Sequence, residues 1–160
     1  MKPKVYIETS IPSFYFETRT SPEAVARRNW TKEWWDNERT HYEVWTSQAV
    51  TDELRRGSYN PQKKAECLDL IGSIKRLPIE EDIAFIVDAY IKNKIMPANA
   101  GGDALHLAIA SWHKCDILLT WNCKHIANAK KAPHIRHVNT LLGLYVPQLI
   151  TPLELLGIEP

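Results

Sequence analysis

Apolar positions in this chain follow two rhythms. Short, nearly unbroken runs occur at Lys4-Val-Tyr-Ile-Glu8, Tyr42-Glu-Val-Trp-Thr46, Ile117-Leu-Leu-Thr-Trp121 and Pro147-Gln-Leu-Ile150, with a strand-like link at Arg76-Leu-Pro-Ile79. These predict strands, and the run at 117–121 suits a strand buried on both faces of a parallel sheet. Between them the spacing changes to three and four. Ser21-Pro-Glu predicts the start of a helix running to about Glu38, with Ala26, Trp30 and Trp34 along one stripe and Trp35 beside it. Further helices are expected over Gln48–Arg56, from Asn60-Pro61 to about Ile74, and over Glu81–Ile95, where Ile83, Ile86, Val87, Tyr90 and Ile91 share a face. Thr9-Ser-Ile-Pro12 is expected to stop the first strand, and Met96–Gly102 to form a loop.

The stretch from Gly101 to Asn122 organises the rest. A glycine pair leads into residues 104–112, apolar almost all round, so this helix must be covered on several sides. Beyond the strand at 117–121, the pattern predicts helix over Lys124–Lys131 and again over His134–Leu144. Thr151-Pro-Leu-Glu154 is a capping box for a short terminal helix. The order β-α-β-α-α-β-α-α-β-α implies an α/β fold with a largely parallel sheet covered by helices on both faces. No repeat or linker interrupts it, so residues 1–160 are expected to form one domain.

Composition changes this picture little. Hydrophobic content of 44% and charged content of 24% are those of an ordinary globular protein. No apolar run approaches the roughly 20 residues of a membrane-spanning helix, and Met1-Lys-Pro-Lys4 leads directly into a strand without a signal-peptide pattern. Cys67, Cys115 and Cys123 lack metal-type spacing and are odd in number, which points to reduced thiols in a cytoplasmic protein.

Net charge is only +1, but its distribution is uneven. Residues 117–153 hold no Asp or Glu, while Lys124, Lys130, Lys131 and Arg136 fall there with His125, His134 and His137. Residues 80–88 carry Glu80, Glu81, Asp82 and Asp88. The basic stretch is either a solvated face or a surface that attracts a phosphate backbone without reading bases. The tryptophan stripe fits a core or a dimer contact, with base stacking as its alternative.

Three carboxylates have reasons to converge. Glu8 ends a strand, Glu53 lies on the margin of a buried helix face, and Asp103 stands in the first turn of the buried helix. Asn122 ends the strand that follows. Strand carboxyl ends are where open α/β sheets place their sites. Asp52 falls on the opposite face from Glu53, with Gln48 and Arg56, as a solvated pair, whereas Glu53 is expected to meet a metal or an arginine. Clustered carboxylates repel unless a cation neutralises them, and hard oxygen donors without a zinc pattern point to Mg²⁺ or Mn²⁺. Phosphate-loop, dinucleotide and hydrolase-elbow motifs are all missing from the sequence.

Val5-Tyr-Ile-Glu-Thr-Ser10, Thr51-Asp-Glu-Leu-Arg55, Gly102-Asp-Ala-Leu-His-Leu-Ala-Ile-Ala-Ser111 and Ile117-Leu-Leu-Thr-Trp-Asn122 together resemble a PIN domain, in that family's order and over nearly the whole chain. The resemblance implies a Rossmann-like three-layer α/β/α domain with a central, mainly parallel sheet. It also implies a Mg²⁺- or Mn²⁺-dependent endoribonuclease site. Glu8 and Asp103 would be metal ligands, Glu53 would bind directly or through water, and Asn122 would position water or substrate. Ser10 and Thr120 resemble the family's small hydroxyl positions and would orient the acids from behind. Many bacterial and archaeal members are VapC-like toxins, usually dimeric and inhibited by a small antitoxin, so RNA, an antitoxin protein and a second copy are the implied partners. Two positions depart from the family pattern: Glu8 replaces the usual Asp, and Asn122 replaces a frequent fourth acid. The alternative is a catalytically silent module of the same fold that binds RNA or a protein. His106, three residues beyond Asp103, is expected to spend its ring N–H on a backbone carbonyl, and His125 to meet phosphate at most.

Overall fold

A computed structural model describes residues 1–157. The five strands β1 (Lys4–Ile7), β2 (Glu43–Thr46), β3 (Lys75–Arg76), β4 (Ile117–Leu119) and β5 (Gln148–Ile150) form one sheet in the order β3-β2-β1-β4-β5, and every pairing is parallel. Val5, Tyr6 and Ile7 are fully buried, as are Leu118 and Leu119. Central strands covered on both faces need such continuous apolar runs. The helices are α1 (Ser10–Tyr15), α2 (Pro22–Glu33), α3 (Gln48–Arg56), α4 (Pro61–Gly72), α5 (Glu81–Lys92), α6 (Gly101–Trp112), α7 (Ala132–Leu141) and α8 (Pro152–Leu155). Right-handed crossovers put α1–α4 on one face and α5–α7 on the other, giving the expected α/β/α sandwich. Within the first layer α1 packs on α2 and α4, and within the second α5 packs on α6. A buried polar knot joins that second layer: the Tyr90 hydroxyl donates to Asn139 Oδ1 and lies 3.2 Å from Ser111 Oγ, and the Asn139 amide donates to Ser111.

Local chemistry sets the helix starts. Ser21 Oγ accepts the Ala24 N–H at 3.3 Å and Asn60 Oδ1 accepts the Lys63 N–H at 2.7 Å, each followed by a proline in the first turn. Glu154 reaches back to the Thr151 N–H at 3.3 Å, the return half of a capping box.

Several boundaries differ from the sequence pattern. Thr9–Pro12 does not merely stop β1 but opens α1, because Pro12 falls in a first turn, where its missing N–H costs nothing. The helix at α2 continues into a π-helical turn at Trp34–Glu38, burying Trp34 and Trp35 in the core. Residues 124–131 are turns rather than helix: the Asn122 carbonyl accepts the Ile126 and Ala127 N–H groups, and Asn128 Oδ1 accepts the Lys130 N–H. Side-chain acceptors that compete for backbone donors favour turns over helix. Helices α5 and α7 stop short of Ile95 and Leu144, where Lys94 and Gly143 take positive φ of 57° and 69°.

Glu17, just beyond α1, is buried. Its carboxylate accepts the N–H groups of Thr18 and Arg19, both at 3.0 Å, and the Arg19 guanidinium at 2.8 Å. The Arg19 hydrogen bond outweighs burial and brings the Glu17 pKa down to about 2. A depressed carboxyl pKa contributes stability above the ordinary range near 4.3, and that stability is lost as pH falls toward 2. Arg19 is exposed, so screening limits the effect. Between pH 6 and pH 2.5, wild type is expected to lose about 1 kcal/mol more than Glu17→Gln in urea unfolding. Equal losses would remove Glu17 from the acid response.

Candidate active site

Strand order reverses between β1 and β4: the chain moves outward from β1 through β2 to β3, then returns to place β4 on the other side of β1. Such a switch point leaves a crevice at the strand carboxyl ends. Glu8 follows β1 directly, and Thr120 and Asn122 follow β4, so both strands deliver polar residues to the same crevice. Glu53 arrives from α3 and Asp103 from the first turn of α6.

Glu8 is 5% exposed. Its Oε1 accepts the Ser10 N–H at 2.9 Å and the Ser10 hydroxyl, and Ser10 Oγ in turn accepts the Trp121 N–H at 2.8 Å. Ser10 therefore ties the acid to the chain leaving β4. Burial raises the Glu8 pKa, while the charge of His106 and hydrogen bonds from Ser10 and Thr120 oppose the rise without cancelling it.

His106, 1% exposed, sits at the centre. Its Nε2 lies 2.6 Å from Glu53 Oε1, and its Nδ1 lies 2.8 Å from the Tyr6 hydroxyl, which is 2.7 Å from Ser47 Oγ. Glu53 Oε2 accepts the Thr9 hydroxyl at 2.7 Å. Burial works to lower the His106 pKa, yet the Glu53 hydrogen bond and the charges of Glu53, Glu8 and Asp103 raise it above the ordinary value. Burial likewise works to raise the Glu53 pKa, and the bond and charge of His106, with Thr9, hold it below the ordinary value. The ring and the carboxylate thus each favour the other's charged form. Gly102 eases the approach, because a Cβ there would stand 3.2 Å from Glu53 Oε1 and push that carboxylate back by a few tenths of an ångström.

The structure brings Glu8, Glu53 and Asp103 within electrostatic reach of one histidine ring rather than around a shared point. Asp103 is half-buried and makes no hydrogen bond among the described residues; its charge acts on His106. Asn122 reaches the same end of the sheet, but its Oδ1 accepts the His125 N–H at 3.0 Å and closes its own turn. Thr120 Oγ1 accepts the Asn122 N–H at 2.9 Å. The expected carbonyl partner of His106 is replaced by Tyr6 and Glu53, and Glu53 meets this histidine rather than an arginine. Asp52 accepts from Gln48 at 3.0 Å, and no ion pair with Arg56 forms among the described residues.

The oxygen donors of Glu8, Glu53 and Asp103 fit a hard divalent cation in kind. Among the described residues no three His, Cys, Asp or Glu side chains already enclose one point, and both Glu53 oxygens are engaged within the chain. Glu8 and Asp103 are the carboxylates that would be left to hold such an ion. Residue order alone singles out neither Tyr6 nor Thr9. The available signal for Tyr6 is its position two before Glu8, on the same strand face.

The turns that follow β4 are basic, and Arg27 beside them pairs with Glu23 at 2.9 Å. Lys124 and Lys130 are exposed, whereas Lys131 donates to the Ile95 carbonyl at 2.9 Å and His134 bonds to the Asn93 carbonyl at 2.8 Å, anchoring the turns to the end of α5. Arg27 donates to the Trp121 carbonyl at 3.4 Å and lies over Trp121 and Phe14, 5.2 and 5.6 Å from the ring centroids. Among the described residues no helix is long and apolar enough to cross a membrane, and all three cysteines are free thiols.

Removing one member of a buried ion pair strands the other, whereas removing both relieves the cost. Glu53→Gln and His106→Gln are each expected to lower stability by about 1–3 kcal/mol, with a coupling of about 1 kcal/mol or more in the double variant. Urea unfolding of the four proteins measures it, and additive losses would mean the two side chains do not depend on each other.

Compared with known proteins, the chain matches no family model and no curated protein.

Proposed function

We propose that the chain is a Mg²⁺- or Mn²⁺-dependent endoribonuclease, hydrolysing RNA phosphodiester bonds at the crevice between β1 and β4. One observation carries this: a buried carboxylate, Glu8, held at the switch point with Glu53 and Asp103 within electrostatic reach of the same histidine. A divalent ion held by Glu8 and Asp103 would supply the positive charge that acidifies an attacking water and neutralises charge at phosphorus. The chain's own residues do the rest. Ser10 and Thr120 orient Glu8, and burial that raises its pKa makes it a group that gains from a cation. His106 and Thr9 hold Glu53 ionised and aimed, so its carboxylate stays a proton acceptor and can hold a water by hydrogen bond. Arg27 beside Trp121, with Lys124 and Lys130 on the adjoining turns, suits the phosphates flanking the scissile bond.

The PIN resemblance supports the same proposal and extends it to a cytoplasmic toxin with a homodimeric state and a small antitoxin as partner. A specific observation favours the second reading, a silent RNA-binding module: Asn122 and Glu53 already spend their oxygens inside the chain.

Metal-dependent cleavage separates the two. With Mn²⁺ and a panel of structured and unstructured RNAs, wild type is expected to cut and Glu8→Gln to lose activity almost completely. Glu8→Asp, with its charge retained but displaced, should retain about 1% of the wild-type rate. Cleavage by Glu8→Gln at the wild-type rate would remove Glu8 from the reaction, and absence of cleavage by wild type, with RNA still bound by all three proteins, would establish the silent module.

Binding tests the basic edge independently of chemistry. Lys124→Glu with Lys130→Glu should weaken RNA binding and reduce the slope of log affinity against log salt by about 2, near one per lost phosphate contact. An unchanged slope would make this edge a solvated face only.

A further inference from the structure

At the opposite end of the sheet, the strand amino ends enclose a second concavity. It has a volume of about 650 Å³ and lies between the start of the chain, the start of β2, the end of α4 and the end of α6. Sites for small organic ligands fall in this size range.

Its charge is distinctive. Lys2, Lys4, Lys75 and Lys114 line it, opposed by Glu43 and Asp116 alone. Among the described residues the ion pairs are formed by Arg19, Arg27, His41 and His106, so none of these lysines is neutralised by a carboxylate contact. Both acids have other work. Glu43 accepts the Trp45 indole N–H at 3.0 Å, and Asp116 accepts the Lys4 backbone N–H at 2.8 Å and the Tyr145 hydroxyl at 3.1 Å. The ammonium groups of Lys4 and Lys75 also stand 5.3 and 5.5 Å from the Trp45 ring centroid, held by one aromatic ring. Lys4 is fixed further by donating to the His113 carbonyl at 2.9 Å. Tyr42, Val44 and Ile74 add half-buried apolar surface beside the lysines, and Met1 and Ser73 complete the lining.

A cavity with an unpaired ammonium cluster on one side and an aromatic and aliphatic wall on the other suits an anion carrying a flat organic group. We propose that this cavity binds a nucleotide, its phosphate against Lys2, Lys75 and Lys114 and its base against Tyr42, Val44 and Ile74. Field focusing in a concave, low-dielectric wall strengthens each ammonium beyond its value on an open surface. The nucleotide comes either free in solution or as the 5′-phosphorylated end of an RNA chain. The site lies at the opposite end of the sheet from Glu8 and does not depend on nuclease activity.

Calorimetric titration of the full chain, in chelator to prevent cleavage, tests this with adenosine monophosphate, adenosine, inorganic phosphate, and a short oligoadenylate with and without a 5′-phosphate. Adenosine monophosphate is expected to bind with a Kd of about 0.1–1 mM, at least tenfold more tightly than adenosine or phosphate alone. Lys75→Glu with Lys114→Glu should weaken that binding at least tenfold at an unchanged melting temperature, since both side chains are exposed. Glu8→Gln should leave it unchanged, whatever it does to cleavage. Equal affinity for the mononucleotide and the 5′-phosphorylated oligomer identifies a free nucleotide as the ligand, and tighter binding of the oligomer identifies a chain end. No binding of adenosine monophosphate overturns the proposal. So does binding that survives the lysine substitutions, that depends on Glu8, or that phosphate or adenosine alone reproduces.

Discussion

The contact between His106 and Glu53 is the constraint on which the rest of the crevice depends. Burying an isolated charged imidazole or carboxylate costs several kcal/mol, and each of these groups favours the charged form of the other at 2.6 Å. The pair also fixes geometry. It joins α6 to α3 across the top of the sheet, and the Tyr6 hydroxyl at 2.8 Å ties the same ring down to β1. Three elements are therefore aligned at the crevice by one side chain. Glu8 and Asp103 lie within electrostatic reach of the same ring.

Backbone features make room for this contact. Gly102 eases the approach of Glu53 to the first turn of α6. Ser10, whose hydroxyl connects Glu8 to the Trp121 N–H, couples the exit of β1 to that of β4. Neighbouring parallel strands with their carboxyl ends in register supply the platform: Ile7 pairs with Leu119, so Glu8 and Thr120 emerge side by side. The crevice is thus a consequence of sheet order, with side chains adjusted to it afterwards.

The two ends of the sheet differ in electrostatic character. At the carboxyl end three carboxylates lie within electrostatic reach of one histidine, and Glu53 alone bonds to it. At the amino end four lysines face two carboxylates that are already hydrogen-bonded. A net charge of +1 conceals both groupings, since opposite charges cancel in the total.

The chain itself determines the sheet and its direction. The buried runs at Val5–Ile7 and 117–119, the capped starts at Ser21 and Asn60, and the alternation of strand and helix signals are local, and local sterics and hydrogen bonding suffice to read them. The same signals place Glu8, Glu53, Asp103 and Asn122 on or beside the ends and buried margins of elements, which is why their positions in the fold are legible from residue order. The turns at 124–131 are not, because Asn122 and Asn128 compete with helical hydrogen bonding in a way that apolar spacing does not record. Only the tertiary structure decides what the polar groups do to one another. Glu53 and His106 stand 53 residues apart and meet because β1 lies between β2 and β4. No periodicity encodes that neighbour, and a buried charge takes its character from its neighbour rather than from its own residue type.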